Sequence, residues 1–110
     1  MEIIKIKTYI NFARRSRNIV FGVDDILKSK KIQLVIYSDS LASSSKVKLK
    51  TFTKTHNIFN KELLCDELYE LLQNDSVKAV GVTDKNLANA IRLIFTNDVS
   101  NGGNLEQNRK

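Results

Sequence analysis

Apolar residues at Ile3, Ile6, Ile10 and Ala13 recur at steps of three and four, with lysines and arginines between them. That spacing predicts an amphipathic helix over residues 3–15 with a basic outer face. Asn18 to Phe21 is a short β-prone run ending at Gly22, where the chain turns at little cost because glycine tolerates positive φ. Asp24 and Asp25 open a second helix predicted to run through Lys31, with acids at its electropositive start and Lys28, Lys30 and Lys31 at its electronegative end. The compact run Leu34-Val35-Ile36-Tyr37, closed by Ser38-Asp39-Ser40, predicts a strand buried on both faces of a sheet.

Ala42, Ser45, Leu49, Phe52 and His56 again follow steps of three and four, which predicts a helix from Ser43 to Thr55 with Lys46, Lys50 and Lys54 on another face. Residues 58–63 alternate weakly through Phe59, Lys61 and Leu63, the pattern of an edge strand, although Lys61 onward also fits the start of the next helix. Leu64, Leu68, Leu71 and Leu72 share one helical face, predicting a helix from Cys65 to Gln73 that Asn74-Asp75-Ser76 terminates. Val77 to Val82 reads as a second buried strand. Thr83 or Asp84 then caps a final helix whose Leu87, Ile91 and Ile94 or Phe95 face inward. Residues 97–110 hold a Gly-Gly pair, several Asn and few apolar residues, so a flexible polar tail is expected after a single domain over residues 1–96. Strands alternating with helices predict an α/β fold, a three-layer α/β/α sandwich around a small parallel or mixed sheet.

A length of 110 residues suits one domain and one core. Charge then changes the picture: 18 Lys and Arg against 12 Asp and Glu leave a formal +6. Residues 1–60 carry 12 basic and 4 acidic side chains, a balance of +8, and residues 61–110 carry 6 and 8, a balance of −2. The basic surface is expected from the first half, with an anionic polymer or surface as its natural partner. The mixed Glu, Lys and Ile of residues 1–10 lack the apolar core of a signal peptide, no apolar run approaches a membrane span, and one cysteine suits a reducing compartment. The expectation is a cytoplasmic protein with no membrane partner.

Chemistry of other kinds is poorly supplied. His56 is the one histidine and falls on an apolar helical stripe, where a packing or edge role is expected. Cys65 beside Asp66 and Glu67 has an acidic setting that disfavours a thiolate, and a buried structural thiol is expected. One Cys and one His are too few soft ligands for zinc, and the glycines form no phosphate-binding loop, so neither metal nor cofactor is expected and the protein does not read as an enzyme. Adjacent Asp24 and Asp25 diverge around a helix and read as a first-turn cap rather than a metal pair. The positive signal is electrostatic. Arg14, Arg15 and Arg17 end the first helix and Lys28, Lys30 and Lys31 the second, two clusters expected to frame one phosphate-binding groove beside Gly22. The same charges also fit an ordinary solvated face. Aromatic residues are too sparse for a stacking platform along a single strand.

The order Ile10-Asn11-Phe12-Ala13-Arg14-Arg15-Ser16-Arg17-Asn18-Ile19-Val20-Phe21-Gly22, then Asp24, Ile26-Leu27-Lys28, Leu34-Val35-Ile36 and Ser38-Asp39, resembles the ribosomal protein L-seven-Ae/L-thirty-e family. Val80-Gly81-Val82-Thr83-Asp84-Lys85-Asn86-Leu87-Ala88 is similar to that family's last strand and helix start. The resemblance covers roughly residues 3–95 and is nearest to the small bacterial YlxQ-like branch. It implies an L-thirty-e-like α/β/α sandwich with a four-stranded mixed sheet, kink-turn RNA as ligand class, and a ribosome-associated ribonucleoprotein role with ribosomal RNA among the expected partners. It further implies that Gly22, Asp24 and Asp25 stand where the family reads guanine edges, with Lys28 one turn later. Asn74 and Ser76 fall in the loop that packs on extruded bases. The family's pair is Asn or Lys followed by Glu or Gln; two acids here would repel phosphates. Gln73-Asn74-Asp75-Ser76-Val77 replaces a more apolar, glycine-containing loop. These departures motivate an alternative, a module of the same fold that has lost kink-turn binding and meets a ribosomal or other protein partner. RNA binding through Arg14, Arg15, Arg17, Lys28 and Lys31 is the leading expectation.

Overall fold

The computed structural model describes residues 3–103, with side chains described through Thr96. Its elements follow in the order α1 (Ile3–Arg15), β1 (Ile19–Phe21), α2 (Val23–Lys28), β2 (Leu34–Ser38), α3 (Ser43–Thr55), β3 (Phe59–Leu63), α4 (Cys65–Leu72), β4 (Ala79–Val82) and α5 (Lys85–Gly103). The four strands form one mixed sheet in the order β1-β4-β2-β3. β4 is antiparallel to both β1 and β2, while β2 and β3 are parallel and joined through α3, as a parallel pair requires a crossover element. β1, β2 and β3 therefore all point the same way.

Alternation along the strands divides the core into two faces. Leu34 and Ile36 of β2 and Val80 and Val82 of β4 meet Ile6 and Ile10 of α1, Leu68, Leu71 and Leu72 of α4, and Ile91 and Phe95 of α5. Val35, Tyr37 and Ala79 point to the opposite face, where Ile26 of α2, Ile32 and Leu49 of α3 cover them. The result is the expected three-layer sandwich, with α1, α4 and α5 on one side and α2 and α3 on the other.

Gly81 sits at the tightest point of that second layer. A Cβ added there would lie 2.7 Å from Ile32 Cδ1 and 3.3 Å from Ile26 Cγ1. The missing side chain lets α2 and the segment after it settle directly onto the sheet. Gln33 N–H extends the anchorage by donating to the Val82 carbonyl at 2.7 Å.

Several predicted boundaries move, each for a local reason. α2 stops at Lys28 rather than Lys31: Ser29 turns extended (φ −79°, ψ 141°), and its hydroxyl accepts from Lys31 N–H at 3.2 Å, a side-chain bond that competes with the helix. The same turn delivers Ile32 to its buried place over Gly81. β4 starts at Ala79 rather than Val77, because Asn74 Oδ1 holds Ser76 in a turn through both its N–H and its hydroxyl. Cys65 is exposed, not buried, and Leu64 lies outside the apolar stripe of α4, at 60% exposure. The cause is that Leu64 is the extended residue before the helix, so the buried face begins only with Leu68. α5 is capped by Asp84, whose Oδ2 accepts Leu87 N–H at 2.9 Å. It continues to Gly103, so residues 97–103, expected to be tail, are helical. Once a packed helix is nucleated, extending it costs little. Residues 104–110 of the expected tail lie outside the described residues.

At the far edge, Lys46 of α3 pairs with Glu62 of β3 at 2.8 Å. The hydrogen bond from Lys46, more than the general field, holds the Glu62 carboxyl below its ordinary range and raises the ammonium.

The packing at Gly81 makes a direct prediction. Gly81→Ala should destabilise the fold by about 1–3 kcal/mol in urea denaturation, the usual cost of overpacking a filled core. Ile32→Val, which removes the nearest methyl, should recover part of that loss in the double variant although it is destabilising alone. Additive effects would show that this contact does not govern the position of α2.

Candidate nucleic-acid interface

Register fixes which residues share an end of the sheet. Ile19 pairs with Val82, and Val82 and Phe59 both flank Leu34. One end therefore gathers the beginnings of β1, β2 and β3 and the finish of β4. At the other end Gly22 N–H donates to Ala79 O, Ser38 N–H to Lys78 O and Asp39 N–H to Leu63 O.

Because β1, β2 and β3 are co-directional, each of the helices that precedes them ends at the first of these ends. There α1 presents Arg15 and, past the helix, Arg17 in the left-handed region at φ 62°. α2 presents Lys28, followed by Lys30 and Lys31, all exposed. α3 presents Lys54, with His56 as its exposed C-terminal cap. Lys85 opens α5 at the same end, because Thr83 N–H donates to the Asn18 carbonyl just before β1. Asp84, an acid at this end, is committed to capping α5.

The opposite end carries most of the acids, with Lys46 of the first turn of α3 paired to Glu62 among them. Asp24 and Asp25 are exposed in the first turn of α2, and Asp66 and Glu67 open α4. Asp75 is exposed in the connection to β4, and Asp39 accepts Cys65 N–H at 3.0 Å. Lys78 is the exposed cation of that connection.

The expected site residues thus divide. Gly22, Asp24 and Asp25 share the acidic end with the Asn74–Ser76 turn. Lys28 and Lys31 lie at the other end of α2, about 9 Å away for a helix of 6 residues. The expected meeting of both basic clusters beside Gly22 is therefore corrected: Arg17, Lys28 and Lys31 gather at the end away from it. The reason is topological, since a helix that starts at Gly22 must carry its basic C-terminus to the start of β2. Arg14 is a separate case. Its Nη2 donates to the Leu72 carbonyl at 3.2 Å and its guanidinium lies 5.5 Å from the centre of the Phe21 ring. A shallow cavity of about 290 Å³ beside it is lined by Phe21, Gln73, Asn74 and Val77. Arg14 is in this way tied to the 73–77 loop and helps to hold it.

A larger hollow, about 530 Å³, opens at the basic end between the segment after α2 and the C-terminus of α3. Lys28, Lys30, Gln33, Phe52, His56 and Asn57 line it. Sequence reasoning overlooked Gln33, Lys54, Asn57 and Lys85 as site residues. The usable signal was the co-direction of the strands, which is not visible without knowing the sheet order. His56 and Cys65 flank opposite ends of β3, a strand of 5 residues and so about 16 Å apart, which separates the candidate base from the candidate thiol. Among the described residues no group of three His, Cys, Asp or Glu could hold a metal, and no helix is long and apolar enough to cross a membrane.

No family model matches the chain, and no curated protein matches it. Among solved structures, a protein with unknown function from Bacillus halodurans C superimposes with a TM-score of 0.75 at 20% identity, over 84% of this chain and 97% of that one. At that identity the likeness establishes a shared fold.

Gly22 supplies the test of the local geometry. Its φ of 92° with ψ of 147° lies in a region that side chains rarely adopt, while a Cβ there would meet nothing within 4 Å. Gly22→Ala should therefore cost about 1–3 kcal/mol through backbone strain alone. A thermal melt of Gly22→Ala indistinguishable from that of the unaltered protein would contradict this.

Proposed function

We propose that the protein binds structured RNA, holding the phosphate backbone on the basic end of the sheet through Arg17, Lys28, Lys30 and Lys31. The observation that carries this reading is the segregation of charge: cations from separate helices share one end, and the acids that open α2 and α4 share the other. Dipole matching explains a cation in the last turn of a helix. It does not explain Lys30, Lys31 or Arg17, which stand beyond the helix ends, where the dipole has nothing further to gain. The resemblance to a kink-turn-binding family favours RNA as the polyanion and a ribosome-associated role. In this chain phosphate contacts and backbone shape supply the binding, because the Gly22 end offers Asp24 and Asp25 to a ligand that is itself an anion.

The acidic end favours a second reading for that part of the surface, contact with a basic protein partner. Co-purification from nuclease-treated lysate separates the two, since an association that disappears with the RNA is not a direct protein contact.

Gel shifts with a hairpin RNA test the main reading. Affinity should fall about 10-fold or more from 50 to 200 mM salt as counterions are released. The Lys28→Glu/Lys30→Glu/Lys31→Glu triple variant should lose at least a further 10-fold, whereas Asp24→Asn/Asp25→Asn should bind as well as the unaltered protein or better. Absence of binding at low salt, or a triple variant of unchanged affinity, would remove the proposal.

A further inference from the structure

The 530 Å³ hollow at the basic end has the composition of a site for a nucleotide rather than for bare phosphate. Its size falls within the range of small-ligand sites. The apolar base is made by Leu27, Ile32 and Ile58, with Ile32 itself buried at 5% exposure. Phe52 and His56 form one wall, their ring centres 4.8 Å apart at 55°. The side chains of Asn57 and His56 make no hydrogen bond to another protein group among the described residues. Gln33 spends one amide hydrogen in a long 3.4 Å contact with the Lys31 carbonyl and leaves its amide oxygen free. Asn57 is held in the left-handed region at φ 56°, where asparagine is among the residues that sit most readily.

We infer that this hollow receives one unpaired nucleotide of the bound RNA. The proposal rests on the RNA reading above and adds what the basic end recognises. A base edge presents donors and acceptors together, and the amides of Gln33 and Asn57 offer both. A base face stacks on the exposed His56 ring, an interaction available to one base here rather than to a run of them. Lys28 and Lys30 at the rim stand where the nucleotide's phosphate enters. An apolar ligand would use neither those ammonium groups nor the amides, and inorganic phosphate would use neither the rings nor the apolar base.

Two RNA hairpins with the same stem, one fully paired and one carrying a single-nucleotide bulge, distinguish the possibilities by fluorescence anisotropy. The bulged hairpin should bind about 10-fold more tightly, within the range that stacking of one base supports. His56→Ala and Gln33→Ala, both exposed positions, should each bring the bulged hairpin towards the affinity of the paired one, with circular dichroism confirming the fold. In nitrogen-15 spectra, adenosine or uridine monophosphate should shift the side-chain amide signals of Asn57 and Gln33, and inorganic phosphate alone should not. Equal binding of both hairpins by the unaltered protein overturns the inference while leaving general RNA binding standing. Retention of the preference in both variants, or shifts produced equally by phosphate, overturns it as well. No binding to either hairpin overturns the RNA reading and this inference together.

Discussion

The antiparallel pairing of β4 with both neighbours is the constraint on which the rest of the molecule depends. With β4 between β1 and β2, and β3 parallel to β2, every other strand in the sheet is forced into one direction. The helices that lead into those strands must then finish at one end. Residues that serve separately as the C-terminal charges of α1, α2 and α3 are brought to one end of the sheet, an arrangement that no stretch of sequence contains. The acids that open α2 and α4 are sent to the other end by the same rule. The topology thus aligns the helix-terminus charges that the dipole favours, and Arg17, Lys30 and Lys31, beyond the helix ends, add to the basic end.

Gly81 turns this arrangement from approximate into fixed. The absence of a side chain at one position of β4 brings Ile26 and Ile32 onto the sheet, and those residues bracket the segment that carries Lys28, Lys30 and Lys31. Ser29 ends the helix early, Ile32 closes over the glycine, and Gln33 bonds to Val82. The basic segment is therefore anchored at both ends by buried isoleucines, so its cations are displayed from a short, tethered loop. Less ordering entropy remains to be lost when a ligand binds than from a free loop of the same length.

Much of the fold was legible in the chain. Ile6, Ile10 and Ala13, the run Leu34 to Tyr37, and Leu68, Leu71 and Leu72 announce their elements by period alone, because each buries a continuous face. Where period failed, a local polar contact or an extended flanking residue decided the outcome. Ser29 shortened α2, the Asn74–Ser76 turn shortened β4, and the extended backbone at Leu64 put that leucine and Cys65 in solvent. The site was less legible than the fold. Its cations were recognised as clusters, yet their meeting place depended on strand direction, which β-propensity and alternation do not encode. Gly22 drew attention by its conformational freedom, but the charge gathers at the far end of the helix it introduces.

Ultraviolet crosslinking of a bound hairpin RNA, followed by mass-spectrometric mapping of the attached peptides, tests the central claim most directly. Adducts on the peptides that contain Arg17, Lys28, Lys30 and Lys31 would place the RNA at the end where three co-directional strands begin. Adducts confined to residues 22–25 and 73–78 would place it at the acidic end and contradict the account.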